Sequence, residues 1–353
     1  MRICITTVFK TENCGSFLQA WALKEQLSAG GHEVYFRDYK KNFDSRISQI
    51  TGIIKCCLRL RLRRAWDMWR RSADFKCIQK QLKVADSKEN DADLYIFGSD
   101  TLWNFEDKFF RDNAPYFTGA DIQKPCYTYA MSLGSTSQNC LAENHVAVKE
   151  IQKFKGIAVR DQHAQDVLSG IYPQEKMCRT VDPTMLWDKE TYLAHFSAKL
   201  PYAQKSLVVY YFGQIPDAFW TAIKAFARKK GLAIVNVGLD KDHEADISVV
   251  GSPAKFISAF AGAEYIFTNT FHGCVFSTIF NKQFATDGVH KKKIEGFIRE
   301  FSLTDRIVSA AEDVEKVLTR PVDYDRVNAL VKEGRGRSGA YLNGVIAEVK
   351  DYE

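Results

Sequence analysis

The chain has no apolar run near the roughly 20 residues that cross a bilayer, which excludes a membrane-spanning helix. It has no CxxC pair and no HExxH, so neither a structural zinc nor a zincin site has support, and no metal is expected. Internal repeats and low-complexity tracts are absent as well. Residues 2–8 (RICITTV) lead straight into the polar TENCGS. That start lacks the long apolar region and small-residue cleavage site of a secretory leader, so none is expected. The nine cysteines are odd in number and scattered, with Cys56 and Cys57 adjacent. They make no disulfide framework, and reduced thiols in a cytoplasm are the simple expectation.

At 353 residues the chain suits two domains. Apolar content of 46% and charged content of 26% match a soluble globular protein. Aromatics at 13% are rich enough to line a large cleft. The net charge of +6 is uneven. Residues 55–83 carry ten basic side chains against Asp67 and Asp74, a net +8, so the remainder sums to −2. One basic segment on a near-neutral protein argues against a nucleic-acid enzyme with a broad basic face.

Strand-like and helix-like segments alternate almost throughout. Residues 2–8, a helix over 15–29 stopped by Gly30-Gly31, and 33–38 make a βαβ unit. The apolar runs 93–97, 126–133, 156–160, 206–212, 232–237 and 264–268 lack clean alternation and are separated by helical patterns. That arrangement predicts parallel sheets buried on both faces. The pattern loosens around 183–205. The expected fold is α/β, two Rossmann-like domains facing across a cleft: 1–190 on the acceptor side, with a basic amphipathic segment at 54–83, and 200–353 on the donor side, with a helical tail that can cross back.

Several loops have the residue types of a site. The stretch 264–284 (EYIFTNTFHGCVFSTIFNKQF) reads as a strand, a polar turn with Thr268, Asn269, Thr270 and His272, and a helix opened by Gly273. Open α/β sheets place chemistry at such strand ends, and His272 can both give and take a proton near neutrality; the plain alternative is that it caps and packs. The first βα turn (FKTENCGS) offers Asn13 or Ser16 as a cap and Gly15 for close backbone approach to a phosphate or sugar hydroxyl. It is not GxGxxG, so no dinucleotide fingerprint stands there. In the loop 98–104, Ser99 and Asp100 with Trp103 can hold a sugar, or Asp100 caps a helix and Trp103 is core. Arg160 ends a strand, either reaching an anion or pairing with Asp161. Lys291, Lys292 and Lys293 precede a helix with apolar Ile294, Phe297 and Ile298. Residues 54–71 place Ile54, Leu58, Leu62, Trp66 and Trp69 near one helical face among arginines. That face either packs on its own domain or lies on an anionic membrane, and the LRLR alternation leaves a strand open.

Taken together, NCGSFLQAWALKEQL (13–27), YIFGSDTLWN (95–104), YTYAMSLGS (127–135), IAVRDQHAQDVL (157–168), VDPTML (181–186) and TNTFHGCVFSTIFNKQF (268–284) resemble the polysaccharide pyruvyl transferase family. The resemblance implies a GT-B-like arrangement and transfer of a pyruvyl group from phosphoenolpyruvate to two hydroxyls of a sugar, with no resident cofactor. His272 matches the family's TFHG histidine, Arg160 its strand-ending arginine, and Lys293 the basic residue opening the later helix. Asn269, Thr270, Gly273 and Lys292 are then the expected donor-side neighbours. Asn13, Gly15, Ser16, Ser99, Asp100 and Trp103 are the expected acceptor side. Two departures, Thr101 where Gln is common and Thr270 where Ser is common, keep polarity and bear on acceptor identity more than on chemistry.

A helix N-terminus disfavours imidazolium, whereas a trianionic donor favours it, so donor binding is expected to charge His272. A lipid-linked acceptor would account for the basic, Trp-bearing segment and a peripheral position on the inner membrane face. The rival readings are a nucleotide-sugar glycosyltransferase on the same architecture and a non-catalytic scaffold of polysaccharide assembly.

Overall fold

Short apolar runs ending in turn residues become buried parallel strands in both halves of the protein. A computed structural model describes residues 1–39, 43–84, 92–238, 245–287 and 291–351, with the side chains of 43–50 and 63 outside that description. The chain divides into two units. The first takes Met1–Asn42, Ile78–Leu186 and Val331–Glu353; the second takes Phe43–Cys77 and Trp187–Leu330.

In the first unit β1 (Arg2–Thr6), β2 (Glu33–Phe36), β3 (Leu94–Phe97) and β4 (Cys126–Thr128) form a parallel sheet of order β2-β1-β3-β4. Ile3 stands opposite Val34 on one side and Leu94 on the other. β5 (Ile157–Val159) and β6 (Met177–Arg179) form a parallel pair, which single bridges from Tyr127 to Gly156 and from Met131 to Val159 attach beside β4. Every residue of β3 is buried, which explains a run with no polar alternation. The helix α1 (Cys14–Ala29) is buried on nearly every side over its first ten residues, as its CGSFLQAWAL sequence requires. Gly31 leaves it with φ +79, a conformation open to glycine.

In the second unit the helices α2 (Phe43–Leu58) and α3 (Leu62–Gln79) come first. β7 (Ser206–Tyr210), β8 (Ala233–Val237), β9 (Ile247–Val249), β10 (Tyr265–Thr268) and β11 (Gln283–Thr286) then form a parallel sheet of order β11-β10-β7-β8-β9. Leu207, Val209, Ile223, Phe226, Phe267 and Leu318 belong to one buried cluster. The Ser252 hydroxyl accepts from the Lys255 amide and Pro253 occupies the first turn, the start expected for that helix. The helices that matter to the site are α4 (Phe271–Ile279) and α5 (Lys292–Glu300). The last helix, α6 (Tyr324–Asp351), enters the first unit at Val331.

The segment 43–77, expected in the first domain, belongs with the second unit, and the tail from Val331 belongs with the first, so neither unit is one continuous stretch. The LRLR run is no strand: Leu58 closes α2 and Leu60 turns the chain at φ +55 before α3. The run 126–133 is a strand only to Thr128, because Ala130 takes φ +48. Within α6, Gly334 lets the helix approach closely: a Cβ there would lie 2.6 Å from a Val181 methyl. One turn on, the Ser338 hydroxyl accepts from the Val181 amide at 2.9 Å.

Candidate functional site

β11, β10 and β7 are neighbours, with Thr268 in register with both Tyr210 and Thr286. Their next residues, Asp287, Asn269 and Tyr211, therefore emerge side by side at the carboxyl end of the sheet. The Tyr211 hydroxyl donates to Asp287 Oδ2 at 2.5 Å. Burial, and then the Asp287 carboxylate, push that hydroxyl's pKa up, so it stays a donor. Lys291, which caps α5, donates from Nζ to the Asn269 carbonyl at 2.7 Å. Burial pulls its pKa below the ordinary lysine value of 10.5, against the pull of Asp287. Cys274, beneath the turn, has its thiol pushed up to about 12, chiefly by burial, so it is a poor nucleophile.

The turn that carries His272 is built from hydroxyls. Thr268 Oγ1 donates to the Tyr210 carbonyl at 2.6 Å and accepts from the Thr270 amide at 3.1 Å. Thr270 caps α4, its Oγ1 accepting from the Gly273 amide at 2.9 Å. A Cβ at position 273 would stand 2.1 Å from Thr268 Oγ1 and 2.5 Å from Thr270 Oγ1, so only glycine fits. Asn269 clasps Phe212 with both ends of its amide, at 2.8 Å each. His272 follows as the second residue of α4, half-buried. Its ring meets Phe271 edge-on at 5.2 Å, and Phe271 in turn meets Phe297 of α5.

Three residues expected to bind donor thus have their polar groups engaged inside the turn: the Asn269 amide, the Thr270 hydroxyl and the Gly273 N–H. The lysine run resolves differently from expectation too. Lys292 is exposed and Lys293 half-buried, whereas Lys291 reaches back to the strand end. The signal was its cap position: the residue just before a helix can fold back toward the preceding strand end, while those inside the first turn follow the helix.

The loops of the first unit close on themselves. Asn13 caps α1, accepting from the amides of Gly15 at 2.9 Å and Ser16 at 3.3 Å. Ser99 donates to Gln19 Oε1 at 2.7 Å, and the Ser99 carbonyl accepts from Thr7. Gln19 donates to Thr7 Oγ1 and to the carbonyls of Val8 and Ser16. This buried glutamine ties the first turn to the 98–104 loop, and a polar residue six places into an apolar helix was the sign of it. Asp100, at φ +80, accepts the Thr101 amide. Trp103 is fully enclosed, its indole N–H donating to the Phe117 carbonyl at 2.9 Å. It is core and offers no face for a sugar to cover.

Arg160 pairs with Asp182 rather than Asp161. Nη1 lies 2.8 Å from Asp182 Oδ2, with both side chains buried. Asp182 Oδ1 also accepts from the Thr184 hydroxyl and amide. Asp161 caps the next helix and accepts from Ser132. Among the described residues, no group of three or more His, Cys, Asp or Glu is placed to hold a metal ion.

Residues 13–286 match the family model described as polysaccharide pyruvyl transferase. No curated protein matches the chain. Among solved structures the chain is similar to UDP-GlcNAc 2-epimerase from Neisseria meningitidis, at 9% identity and TM-score 0.58, over 99% of this chain and 100% of that one. It is similar to a putative UDP-N-acetylglucosamine 2-epimerase from Listeria monocytogenes at 9% identity and TM-score 0.55, over 100% and 97%. An alpha-glucosyltransferase in complex with UDP-glucose and DNA containing an abasic site matches at 12% identity and TM-score 0.51, over 97% and 95%. At such identities the likeness is one of fold, and the fold is the GT-B type with two Rossmann-like units and parallel sheets.

Proposed function

The chain belongs to the polysaccharide pyruvyl transferase family, and from that premise we propose that it moves the pyruvyl group of phosphoenolpyruvate onto two hydroxyls of a sugar. The acceptor is a residue of a surface polysaccharide or of its lipid-linked precursor, reached from the cytoplasm. The observation that carries this reading is the strand-end turn where His272 opens a helix and Lys291 folds back onto the Asn269 carbonyl.

Phosphoenolpyruvate carries a carboxylate and a phosphate. Moving both out of water is costly unless cations and N–H donors replace the hydration. Lys291 supplies a cation, Lys293 a second, and the first turn of α4 a partial positive charge. The methylene carbon then takes a proton, which leaves oxocarbenium character on the neighbouring carbon. One sugar hydroxyl forms a C–O bond there and loses its proton. The second hydroxyl forms another C–O bond as the bond to phosphate breaks, and its proton leaves with the phosphate. His272 is assigned the first proton transfer and regains its proton from an attacking hydroxyl. Tyr211, held as a donor by Asp287, stiffens the floor of the turn.

The test is incubation of the protein with phosphoenolpyruvate and candidate acceptor sugars. The expected product gains one pyruvate less water, with phosphate released only when acceptor is present. Consumption of a nucleotide sugar while phosphoenolpyruvate stays untouched would replace this reading with a glycosyltransferase. Turnover of neither donor across sugars that the polysaccharide contains would leave the scaffold reading.

A further inference from the structure

The second unit has a surface that its chemistry does not explain. Ten large apolar side chains are exposed among the described residues, and six lie in the α2–α3 hairpin: Ile54, Leu58, Leu60, Leu62, Trp66 and Trp69. Leu58 and Leu60 at the hairpin turn are 80% and 84% exposed. Trp66 and Trp69 stack on each other at 4.9 Å, and each is more than half exposed. Scattered exposed apolar residues are ordinary, but six within one helical hairpin, two of them stacked, mark an interaction surface.

The hairpin's inner side is already satisfied. Ala65 and Phe75 are buried, the Arg71 guanidinium lies over the Phe75 ring, and Cys56 Sγ meets the Met68 sulfur between the two helices. The outer side is thus a finished surface, with Lys55, Arg59, Arg61 and Arg70 exposed around it. The acids among the described side chains of the hairpin are Asp67, which is half-buried, and Asp74, which faces Lys255. The net +8 of residues 55–83 against −2 for the remainder fixes the sign of the partner. It also disfavours a second copy of this chain, since a symmetric contact would bring the two basic patches together.

We propose that residues 54–71 dock the protein on an anionic lipid surface. The Leu58–Leu62 turn and the Trp pair enter the headgroup layer, and the flanking Lys and Arg side chains meet lipid phosphates. Among the described residues no helix is long and apolar enough to cross a membrane, so the contact is interfacial. The proposal stands on surface chemistry alone and is independent of the reaction assigned above.

The full-length protein is to be sedimented with vesicles of phosphatidylcholine alone or mixed with phosphatidylglycerol. Binding is expected only to the mixed vesicles, and weaker as salt is added. The triple variant Arg59→Glu, Arg61→Glu, Arg70→Glu is expected to lose about a hundredfold in partitioning, from roughly fivefold per basic side chain near the surface. Vesicles with brominated acyl chains keep the test sharp if that variant misfolds. They are expected to quench the unaltered protein's tryptophan emission, and to quench far less in Trp66→Phe, Trp69→Phe. Equal binding to neutral vesicles, binding without quenching, or a dimer in solution that shields Trp66 and Trp69 would each overturn the proposal.

Discussion

Both parallel sheets end in polar loops, but the two sets of loops do different work. In the first unit the polar groups find one another: Gln19 bridges Thr7, Ser16 and Ser99, Asn13 caps its own helix, and Arg160 is buried against Asp182. In the second unit the hydroxyls and amide of Thr268, Asn269 and Thr270 hold the turn in the same way. Around that frame, however, stand half-buried groups that titrate or carry charge, His272 and Lys291. Polar residues at strand ends are therefore evidence of a site only where a group able to exchange a proton or carry charge stays partly exposed beside them, as His272 and Lys291 do. Half-burial matters because a group in full solvent is screened, whereas one fully buried in an ion pair has no reach toward a ligand.

The sharpest way to break this contrast is to exchange the roles of its two best-known residues. His272→Ala is expected to lower turnover by about a hundredfold or more, the usual worth of general acid–base catalysis, with little change in unfolding midpoint. Arg160→Ala is expected to cost about 3–5 kcal/mol of stability, because it leaves Asp182 charged and buried. Turnover and a denaturant titration on each variant give the answer. Unchanged stability in Arg160→Ala with lost phosphoenolpyruvate affinity by calorimetry would return Arg160 to the donor site, where the family resemblance puts it. Turnover within about tenfold for His272→Ala would remove the imidazole from the chemistry.

Matched helix caps make a finer test. Asn13 and Thr270 each accept N–H groups of the first helical turn, and replacing either with alanine should cost about 1 kcal/mol. The stabilities of Asn13→Ala and Thr270→Ala should thus fall together. Only Thr270→Ala is expected to lower turnover, since it loosens the turn that aims His272. A matching loss of turnover in Asn13→Ala would show that the first unit's turn touches substrate.

Much of this architecture was legible from residue pattern alone. LYIF and SLVVY are strands because runs without polar alternation suit burial on both faces. Ser252-Pro253 starts a helix because a capping hydroxyl and a proline in the first turn favour that start. What pattern does not carry is partnership. Arg160 meets Asp182 because β5 and β6 are adjacent, and no local spacing announces that. Trp103 sits in a motif that suits sugar binding equally well, and only its contacts with Phe117 and Phe154 show it to be core. The units are built from separated segments, which local periodicity cannot reveal.

Lys291 offers the smallest effect and the most direct reading of the second unit's surplus charge. Its pKa is lowered, first by burial, with Asp287 acting in the opposite sense. An anionic donor binds the protonated amine, so affinity is present at neutral pH and falls as pH rises through the lysine's pKa. Burial places that fall below the ordinary 10.5, while the bound anion itself pushes it back up. Phosphoenolpyruvate affinity followed by calorimetry across the alkaline range should therefore decline a few-fold earlier than an exposed lysine would allow. Lys291→Arg should move the decline beyond the accessible range, because guanidinium stays charged throughout. Lys292→Arg, altering an exposed neighbour, should leave the profile where it was. A profile that follows Lys292 instead would place the donor on the exposed side of α5, away from the Asn269 carbonyl.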